Sequence, residues 1–122
     1  MSRNIETVNR YLDGFRKNDH QQILSCLTDD IAWTVFGAFQ LTGKEAYDKA
    51  IDGAPEFVDP PELHVVRMVE QDDVVMAELS GAARRSEGGE MRMSMAEVFV
   101  MREGKIAERR AWVSELKEND YR

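Results

Sequence analysis

The chain has 122 residues, which is the usual size of one domain built around one hydrophobic core, so we expect a single domain over residues 1–122. Hydrophobic residues make up 43% of the sequence and charged residues 32%, a composition that excludes disordered and fibrous classes. Sixteen Lys and Arg against 23 Asp and Glu give a net charge of -7, which opposes binding to phosphate backbones, so no nucleic-acid partner is expected.

The first element is predicted to be an amphipathic helix over about residues 4–17. Its apolar stripe consists of Ile5, Val8, Leu12 and Phe15, at spacings of three, four and three. Tyr11 borders this stripe, so its ring is expected to face the core while its hydroxyl needs a partner there. A tyrosine in this place is more often a packed residue bonded to a backbone carbonyl than a functional group.

A second, short helix is predicted to begin at Asp19. Asp19 and Gln22 have the spacing of a capping box, and an apolar side follows them. Thr28-Asp29-Asp30 is expected to end this helix, and residues 31–36 have the aromatic and β-branched content of a strand.

A third helix and four strands complete the predicted order. Thr42 and Glu45 have the capping-box spacing, and a helix with one apolar face follows. Beyond the Gly and Pro residues at 53–61, extended patterns run over about 63–69, 74–84, 91–101 and 105–113, separated by short turn-prone loops. Helices grouped ahead of antiparallel hairpins predict an α+β fold.

The strand over residues 91–101 is apolar on both faces in its second half. Met95, Glu97 and Phe99 share one face, and Val98 and Val100 share the other. In the next strand, Ile106, Glu108, Arg110 and Trp112 are expected on one face, with Ala107, Arg109, Ala111 and Val113 on the opposite one. An apolar outer face needs a covering partner, so we predict a homodimer through Val98, Val100 and Trp112. A helix or the tail folding over this face is the alternative.

Several catalytic patterns are missing from the sequence. It has no Gly-rich phosphate loop, no zinc-type ligand spacing and no nucleophile elbow, so neither a metal site nor a cofactor is expected. His20 is interpreted as a solvated surface residue, His64 as a structural residue, and Cys26 as a buried inert thiol. A single cysteine, no apolar leader and no run of about 20 apolar residues favour a cytoplasmic protein without a membrane segment.

Glu97 is the unusual residue of the sequence because it lies between Met95 and Phe99 on an apolar strand face. A carboxylate in such a place must stay protonated or find a cation and hydrogen bonds. Arg109 is the predicted cation, because pairing through the turn at 102–105 brings residues 97 and 109 opposite or diagonal. A structural ion pair and a functional pair are equally consistent with this arrangement.

The sequence resembles the nuclear-transport-factor-2-like (NTF2-like) superfamily, particularly its SnoaL-like and ketosteroid-isomerase-like members. The resemblance spans most of the chain and rests on four segments: Asn9-Arg10-Tyr11-Leu12 with Asn18-Asp19, Leu27 to Ile31, Thr42 to Ala46, and Phe99 to Ile106. It implies a curved, cystatin-like sheet wrapped around a long helix, which forms a cone with an apolar pocket and usually dimerises through the outer sheet face.

The resemblance also implies roles for particular residues. In ketosteroid isomerase, an aspartate base acts with an oxyanion hole made of a tyrosine and a protonated carboxylic acid. Tyr11 matches the tyrosine and Glu97 the acid, but Val35 falls where the base is expected, which argues against ketosteroid isomerase activity. Epoxide-hydrolase-like members use two carboxylates around an arginine; Glu97 and Arg109 resemble part of that set, and Glu108 is expected to face away.

Three functions are therefore compatible with the sequence. The first is a cofactor-independent acid/base enzyme of isomerase, cyclase, dehydratase or epoxide hydrolase type, with Tyr11, Glu97 and Arg109 as catalytic residues. The second is a non-catalytic protein that binds a small apolar ligand, and the third is an interaction module whose hollow is filled by its own rings. The expected substrate-binding residues are Phe15, Trp33, Val35, Phe57, Leu79, Met95, Phe99 and Val113.

Overall fold

A computed structural model describes residues 2–52 and 61–117. Three helices and six strands form an α+β fold. The helices are α1 (Arg3–Lys17), α2 (His20–Ser25) and α3 (Lys44–Ile51), and the strands are β1 (Leu27–Val35), β2 (Phe39–Thr42), β3 (Glu62–Gln71), β4 (Val74–Arg84), β5 (Glu90–Arg102) and β6 (Lys105–Leu116).

Local hydrogen bonds define the ends of the first two helices. The Ser2 hydroxyl accepts from the backbone N–H of Ile5 at 3.1 Å and begins α1. Asn18 ends α1 in the left-handed region, which Asn tolerates better than most residues. The Asp19 carboxylate then accepts from the backbone N–H of Gln22 at 3.0 Å, so the predicted capping position is confirmed.

The strands form one curved, open sheet in the order β2-β1-β6-β5-β4-β3. Its neighbouring strands are antiparallel except for β1 and β6, which are parallel. Helix α1 packs against the concave face, where Tyr11 lies edge-on to Phe99 of β5 with 5.7 Å between the ring centroids. The architecture is the predicted cone, and it directs alternate side chains of β1, β4, β5 and β6 into one interior.

The first strand differs from its sequence prediction at both ends. β1 begins at Leu27, so Thr28, Asp29 and Asp30 lie inside the strand instead of ending a helix. A second strand, β2, follows it and pairs residue by residue with Ala32 to Val35. β2 is only four residues long and mostly exposed, so it carries almost none of the apolar alternation that identifies a strand in a sequence.

The predicted capping box of α3 is wrong. The helix begins after Gly43, which has φ 92° and makes no side-chain capping bond. This positive φ is easily adopted by glycine, and the Gly43 backbone N–H donates to the carbonyl of Ile31 at 2.7 Å. Thr42 instead pairs with Ala32 as the last residue of β2.

The predicted alternation of inward-facing and outward-facing residues in β6 is wrong at the start of the strand. The register of β5 and β6 shifts between Val100 and Met101, so that Met101 faces Ile106 and Val100 faces Glu108. This bulge leaves Ala107 without a direct partner and turns Ile106 into the core, where it is fully buried. Beyond the bulge, Arg109 and Ala111 point inward as predicted, and both are buried.

In the described ranges, no helix is long and apolar enough to cross a membrane.

Candidate functional site

The interior of the cone holds a buried ion pair between adjacent strands. Residue 97 of β5 lies directly opposite Ala111, and Arg109 of β6 lies opposite Phe99, so Glu97 and Arg109 are diagonal neighbours as predicted. Arg109 donates through Nε to Glu97 Oε1 at 2.6 Å and through Nη2 to Glu97 Oε2 at 2.9 Å. The Glu97 side chain is 1% exposed and that of Arg109 is 10% exposed. Both carboxylate oxygens are therefore engaged by one buried guanidinium.

Two tyrosines complete the polar cluster. Nη1 of Arg109 donates to the hydroxyl of Tyr11 at 2.5 Å and to that of Tyr47 at 3.3 Å. The Tyr11 and Tyr47 hydroxyls also bond to each other. We refer to Tyr11, Tyr47, Glu97 and Arg109 as the polar cluster; it joins α1, α3, β5 and β6.

The polar cluster keeps its phenols neutral and its guanidinium charged. Burial raises the pKa of the Tyr11 hydroxyl well above its usual range, although nearby Arg109 opposes this. Burial also raises the pKa of Tyr47, again against Arg109. Burial alone would lower the pKa of Arg109, but the Glu97 carboxylate outweighs it and the pKa is raised well above its usual value. The two tyrosines are therefore hydrogen-bond donors at ordinary pH.

One of the two hydroxyl protons in the polar cluster has no acceptor within the cluster. Arg109 gives protons to both hydroxyl oxygens, and one hydroxyl proton forms the bond between the two tyrosines. Neither tyrosine is hydrogen-bonded to Glu97, whose two oxygens accept from Arg109, so the second hydroxyl proton has no acceptor among the four side chains. A ligand oxygen that entered the cluster would thus meet a phenolic O–H.

Aromatic rings surround the polar cluster. Trp33 of β1 lies opposite Arg109 in the sheet, and the Arg109 Cζ is 4.5 Å from the centroid of its ring. The Trp33 ring stacks on Tyr47 with 4.7 Å between centroids, and Phe15 lies edge-on to Tyr11 at 5.1 Å. These rings make the environment of the cluster apolar, which strengthens its electrostatic interactions.

Most of the predicted substrate-binding residues meet on the concave side. Leu79 and Phe99 are fully buried and Trp33 and Met95 are nearly so, whereas Phe15 and Val35 are half-buried. Val113, opposite Met95, is 39% exposed although it shares the face of buried Ala111. Phe57 lies outside the described residues. We refer to the partly exposed apolar residues Phe15, Val35 and Val113 as the concave opening.

The large aromatic residues divide between the two sides of the sheet. Trp33 points inward, but Phe36 is 41% exposed and stacks on Trp112 with 4.6 Å between centroids. Phe39 is 43% exposed and packs edge-on against Trp33. Tyr47 fills the interior beside Trp33, so the hollow is filled in part by the chain's own rings.

Tyr47 is the site residue that the sequence analysis missed as a functional group. The sequence placed it only on the apolar face of α3. A phenol on a buried helix face needs a hydrogen-bond partner, and that argument, which was applied to Tyr11, would have singled out Tyr47 as well.

His20 lies at the surface, as predicted, but its ring is paired with two carboxylates that the sequence analysis did not foresee. Its Nδ1 lies 2.6 Å from an Asp48 carboxylate oxygen and its Nε2 lies 2.9 Å from one of Asp52. Hydrogen bonds to Asp48 and then Asp52 raise the pKa of His20 above its usual value. The His20 ring thereby links α2 to Asp48 of α3 and to Asp52, the residue that caps the end of α3. Cys26 is buried, as predicted.

The His20 contact predicts a pH-dependent stability. Because the folded-state pKa is raised, the protonated ring stabilises the fold fully below about pH 6.5, the ordinary value. This contribution is lost as the pH rises through the folded-state value. We expect the difference in Tm between the wild type and His20→Gln to be largest near pH 5.5 and to shrink toward pH 9. Thermal unfolding of both proteins across this pH range measures the difference in Tm. A difference that does not change with pH would contradict stabilisation by the protonated His20 ring.

Within residues 2–52 and 61–117, no group of three or more His, Cys, Asp and Glu side chains is arranged to hold a metal ion. Glu97 is also the only buried carboxylate in this part of the chain. Glu108 faces the outer side, as predicted, and lies 3.6 Å from Arg110. The second interior acid that an epoxide-hydrolase-like pair requires is therefore missing from the described residues.

The comparisons with known proteins identify the family. The sequence model of the SnoaL-like domain matches residues 8–109, so the chain belongs to the SnoaL-like family. Among curated proteins, none matches the chain in sequence.

Solved structures share the fold at low sequence identity. An LEH-like epoxide hydrolase from M. tuberculosis has a TM-score of 0.81 and 18% identity, over 92% of this chain and 83% of that one. A proposed ketosteroid isomerase from Kribbella flavida has a TM-score of 0.79 and 13% identity, over 98% and 83%. A proposed SnoaL-like polyketide cyclase from Jannaschia sp. has a TM-score of 0.81 and 16% identity, over 92% and 85%. At these identities, the similarity shows the NTF2-like fold.

Proposed function

We propose that this protein is a cofactor-independent enzyme that binds a small apolar carbonyl compound on the concave face and promotes its enolisation. The observation that carries the proposal is the buried polar cluster, which has a spare phenolic proton and is surrounded by apolar side chains. A donor placed where negative charge develops stabilises an enolate, and more strongly where water is excluded. Enolisation is the step that isomerase, cyclase and dehydratase chemistry on carbonyl compounds can share.

The distances from Arg109 to the two tyrosine oxygens suggest the order in which the groups donate. Arg109 Nη1 is 2.5 Å from the Tyr11 oxygen but 3.3 Å from that of Tyr47, so its stronger bond is to Tyr11. Tyr11, which accepts from a cation, then directs its own proton to Tyr47, and the proton of Tyr47 is the one left for the ligand. Each hydrogen bond in such a chain polarises the next. Glu97 holds the guanidinium in place at the start of the chain.

The experiment that tests the proposal is hydrogen–deuterium exchange at the methyl group of 2-acetylnaphthalene in D2O, followed by mass spectrometry. Enolisation removes a methyl proton, and reprotonation from D2O at the same carbon adds deuterium. We expect the wild-type protein to accelerate this exchange above the buffer rate. Saturable binding without accelerated exchange would reject the enzyme and leave a binding protein.

Non-catalytic binding of a small apolar ligand is the second candidate, and one observation favours it. Both oxygens of Glu97 are held by Arg109, and Val35 occupies the position at which the resemblance places the base. If the protein is an enzyme, the proton released in enolisation passes to water or to a group of the substrate.

We also propose a homodimer through the outer face of the sheet. A mostly apolar hollow of about 230 Å³ on this face is lined by Val69, Met76, Ala96, Val98 and Trp112, together with the charged pair Arg67 and Glu78. Val69, Met76 and Trp112 are 58%, 50% and 43% exposed, which is unusual for neighbouring apolar residues on one face. Such a patch can pack against its own copy about a two-fold axis. Val100 lies on the same face.

The proposed dimer predicts that a charge at Trp112 changes the oligomeric state. Trp112→Glu places a charge in the proposed contact, so we expect sedimentation velocity to show a shift from dimer to monomer with unchanged secondary structure. Wild-type protein that sediments as a monomer at tens of micromolar would contradict the contact.

A further inference from the structure

Trp33 has a buried donor without an acceptor. Its side chain is within the core at 8% exposure, and Nε1 is the one buried side-chain nitrogen or oxygen in the described part of the chain that has no hydrogen-bond partner. A buried N–H without an acceptor has lost its hydrogen bond to water and gained none in return, so such a group in a natural protein calls for a partner such as a ligand or a water molecule.

The Trp33 ring cannot easily turn to find a partner. It is stacked on Tyr47 at an interplanar angle of 27°, it lies edge-on to Phe39 with 5.0 Å between centroids, and Arg109 lies over it. Three neighbours therefore fix the direction of its N–H. The same stacking places the indole beside the tyrosine that ends the proposed donor chain.

The register places Trp33 next to the concave opening. Trp33 lies opposite Arg109, and Val35, on the same face of β1, lies opposite Ala111. Ala111 is followed on that face by half-exposed Val113, which lies opposite Met95. For a ligand that enters between Val35 and Val113, Trp33 and Arg109 are the next pair of residues on this face of the sheet.

The unmatched groups of the interior are all donors. The spare phenolic proton and the Trp33 N–H both lack an acceptor, whereas no buried side-chain acceptor among the described residues lacks a donor. A ligand acceptor would therefore supply the partner that these two donors lack, whereas a ligand donor would satisfy no unpaired group. A carbonyl oxygen has two lone pairs and can accept from both groups.

We infer that the indole N–H of Trp33 is a second ligand-binding donor, which makes the site selective for apolar molecules that present a carbonyl oxygen over matched hydrocarbons. This inference rests on the proposed function, since it assumes that the ligand enters the concave opening. It adds a residue that determines specificity and names the chemistry that the residue recognises.

The test uses two probes of nearly equal shape, 2-acetylnaphthalene and 2-isopropenylnaphthalene, in which a C=O replaces a C=CH2 group. Calorimetry of the purified protein measures both affinities. We expect the wild type to favour the ketone, and Trp33→Phe, which keeps a ring but removes the N–H, to weaken ketone binding about threefold to tenfold without changing that of the hydrocarbon. Trp112→Phe makes the same substitution on the outer face and should leave both affinities unchanged.

A second measurement does not depend on the folding of any variant. In ¹⁵N-labelled protein each of the two tryptophans gives one indole N–H signal, and Trp112→Phe identifies that of Trp33. We expect the ketone, but not the hydrocarbon, to move the Trp33 signal downfield.

The outcomes separate the two proposals. Equal affinities for both probes, or a Trp33 signal that does not move when the ketone binds, would overturn the role of the indole and leave the apolar site intact. Failure of both probes to bind would overturn the proposed function and the inference with it.

Discussion

Breaking the ion pair between Glu97 and Arg109 is expected to destabilise the protein by about 3–5 kcal/mol, because removal of either partner leaves an uncompensated charge in the core. The matched substitutions are Glu97→Leu and Arg109→Met, each measured by urea unfolding. The double variant buries no charge, so we expect it to lose less free energy of unfolding than either single variant. A favourable coupling of this kind is the signature of a buried pair.

The chain provides an exposed pair as the control. Glu45 and Lys49 are 3.5 Å apart on consecutive turns of α3, with side chains 89% and 76% exposed. Lys49→Met and Glu45→Leu should each change the free energy of unfolding by less than about 1 kcal/mol, since solvent screens this pair. Additive losses for Glu97→Leu and Arg109→Met would show that the two groups are not coupled in the folded protein.

The ion pair could be predicted from the sequence because its determinants are local. The alternation of Met95, Glu97 and Phe99 fixes the face, and the turn at 102–105 fixes which residues of the next strand come near. The diagonal relation of Glu97 and Arg109 follows from these two facts. The cap at Asp19 and the apolar stripe of α1 are local in the same sense.

Other features depend on contacts between distant segments, and the sequence could not show them. The bulge that turns Ile106 inward depends on the pairing of Ile106 with Met101 across the hairpin. The sequence of β6 alone does not indicate this bulge. The bond between the Tyr11 and Tyr47 hydroxyls requires α1 and α3 to meet over the sheet. The inward direction of Trp33 follows from parallel pairing with β6, which is a non-local choice.

The proposed donor chain, from Arg109 through Tyr11 to Tyr47, predicts different losses of activity for its two tyrosines. The larger loss is expected for Tyr47→Phe. If Tyr47 donates to the ligand oxygen, removal of its hydroxyl should slow the enzyme-promoted deuterium exchange of 2-acetylnaphthalene by about 10²–10³-fold. Tyr11→Phe removes only the group that polarises Tyr47, so we expect a smaller loss, about tenfold. Binding of 2-isopropenylnaphthalene should change in neither variant, which separates loss of the donor from collapse of the site.

The comparison of the two variants decides the direction of the chain. Tyr11 is closer to Arg109 than Tyr47 is, and on this ground we propose that Tyr11 donates to Tyr47 and that the proton of Tyr47 is free for the ligand. If the exchange rate falls more in Tyr11→Phe than in Tyr47→Phe, the order is reversed and Tyr11 is the donor, as the family resemblance alone would suggest. Because both phenols have raised pKa values through burial, either donor stays protonated through neutral pH, and the ratio of the two rates should not change between pH 6 and pH 8.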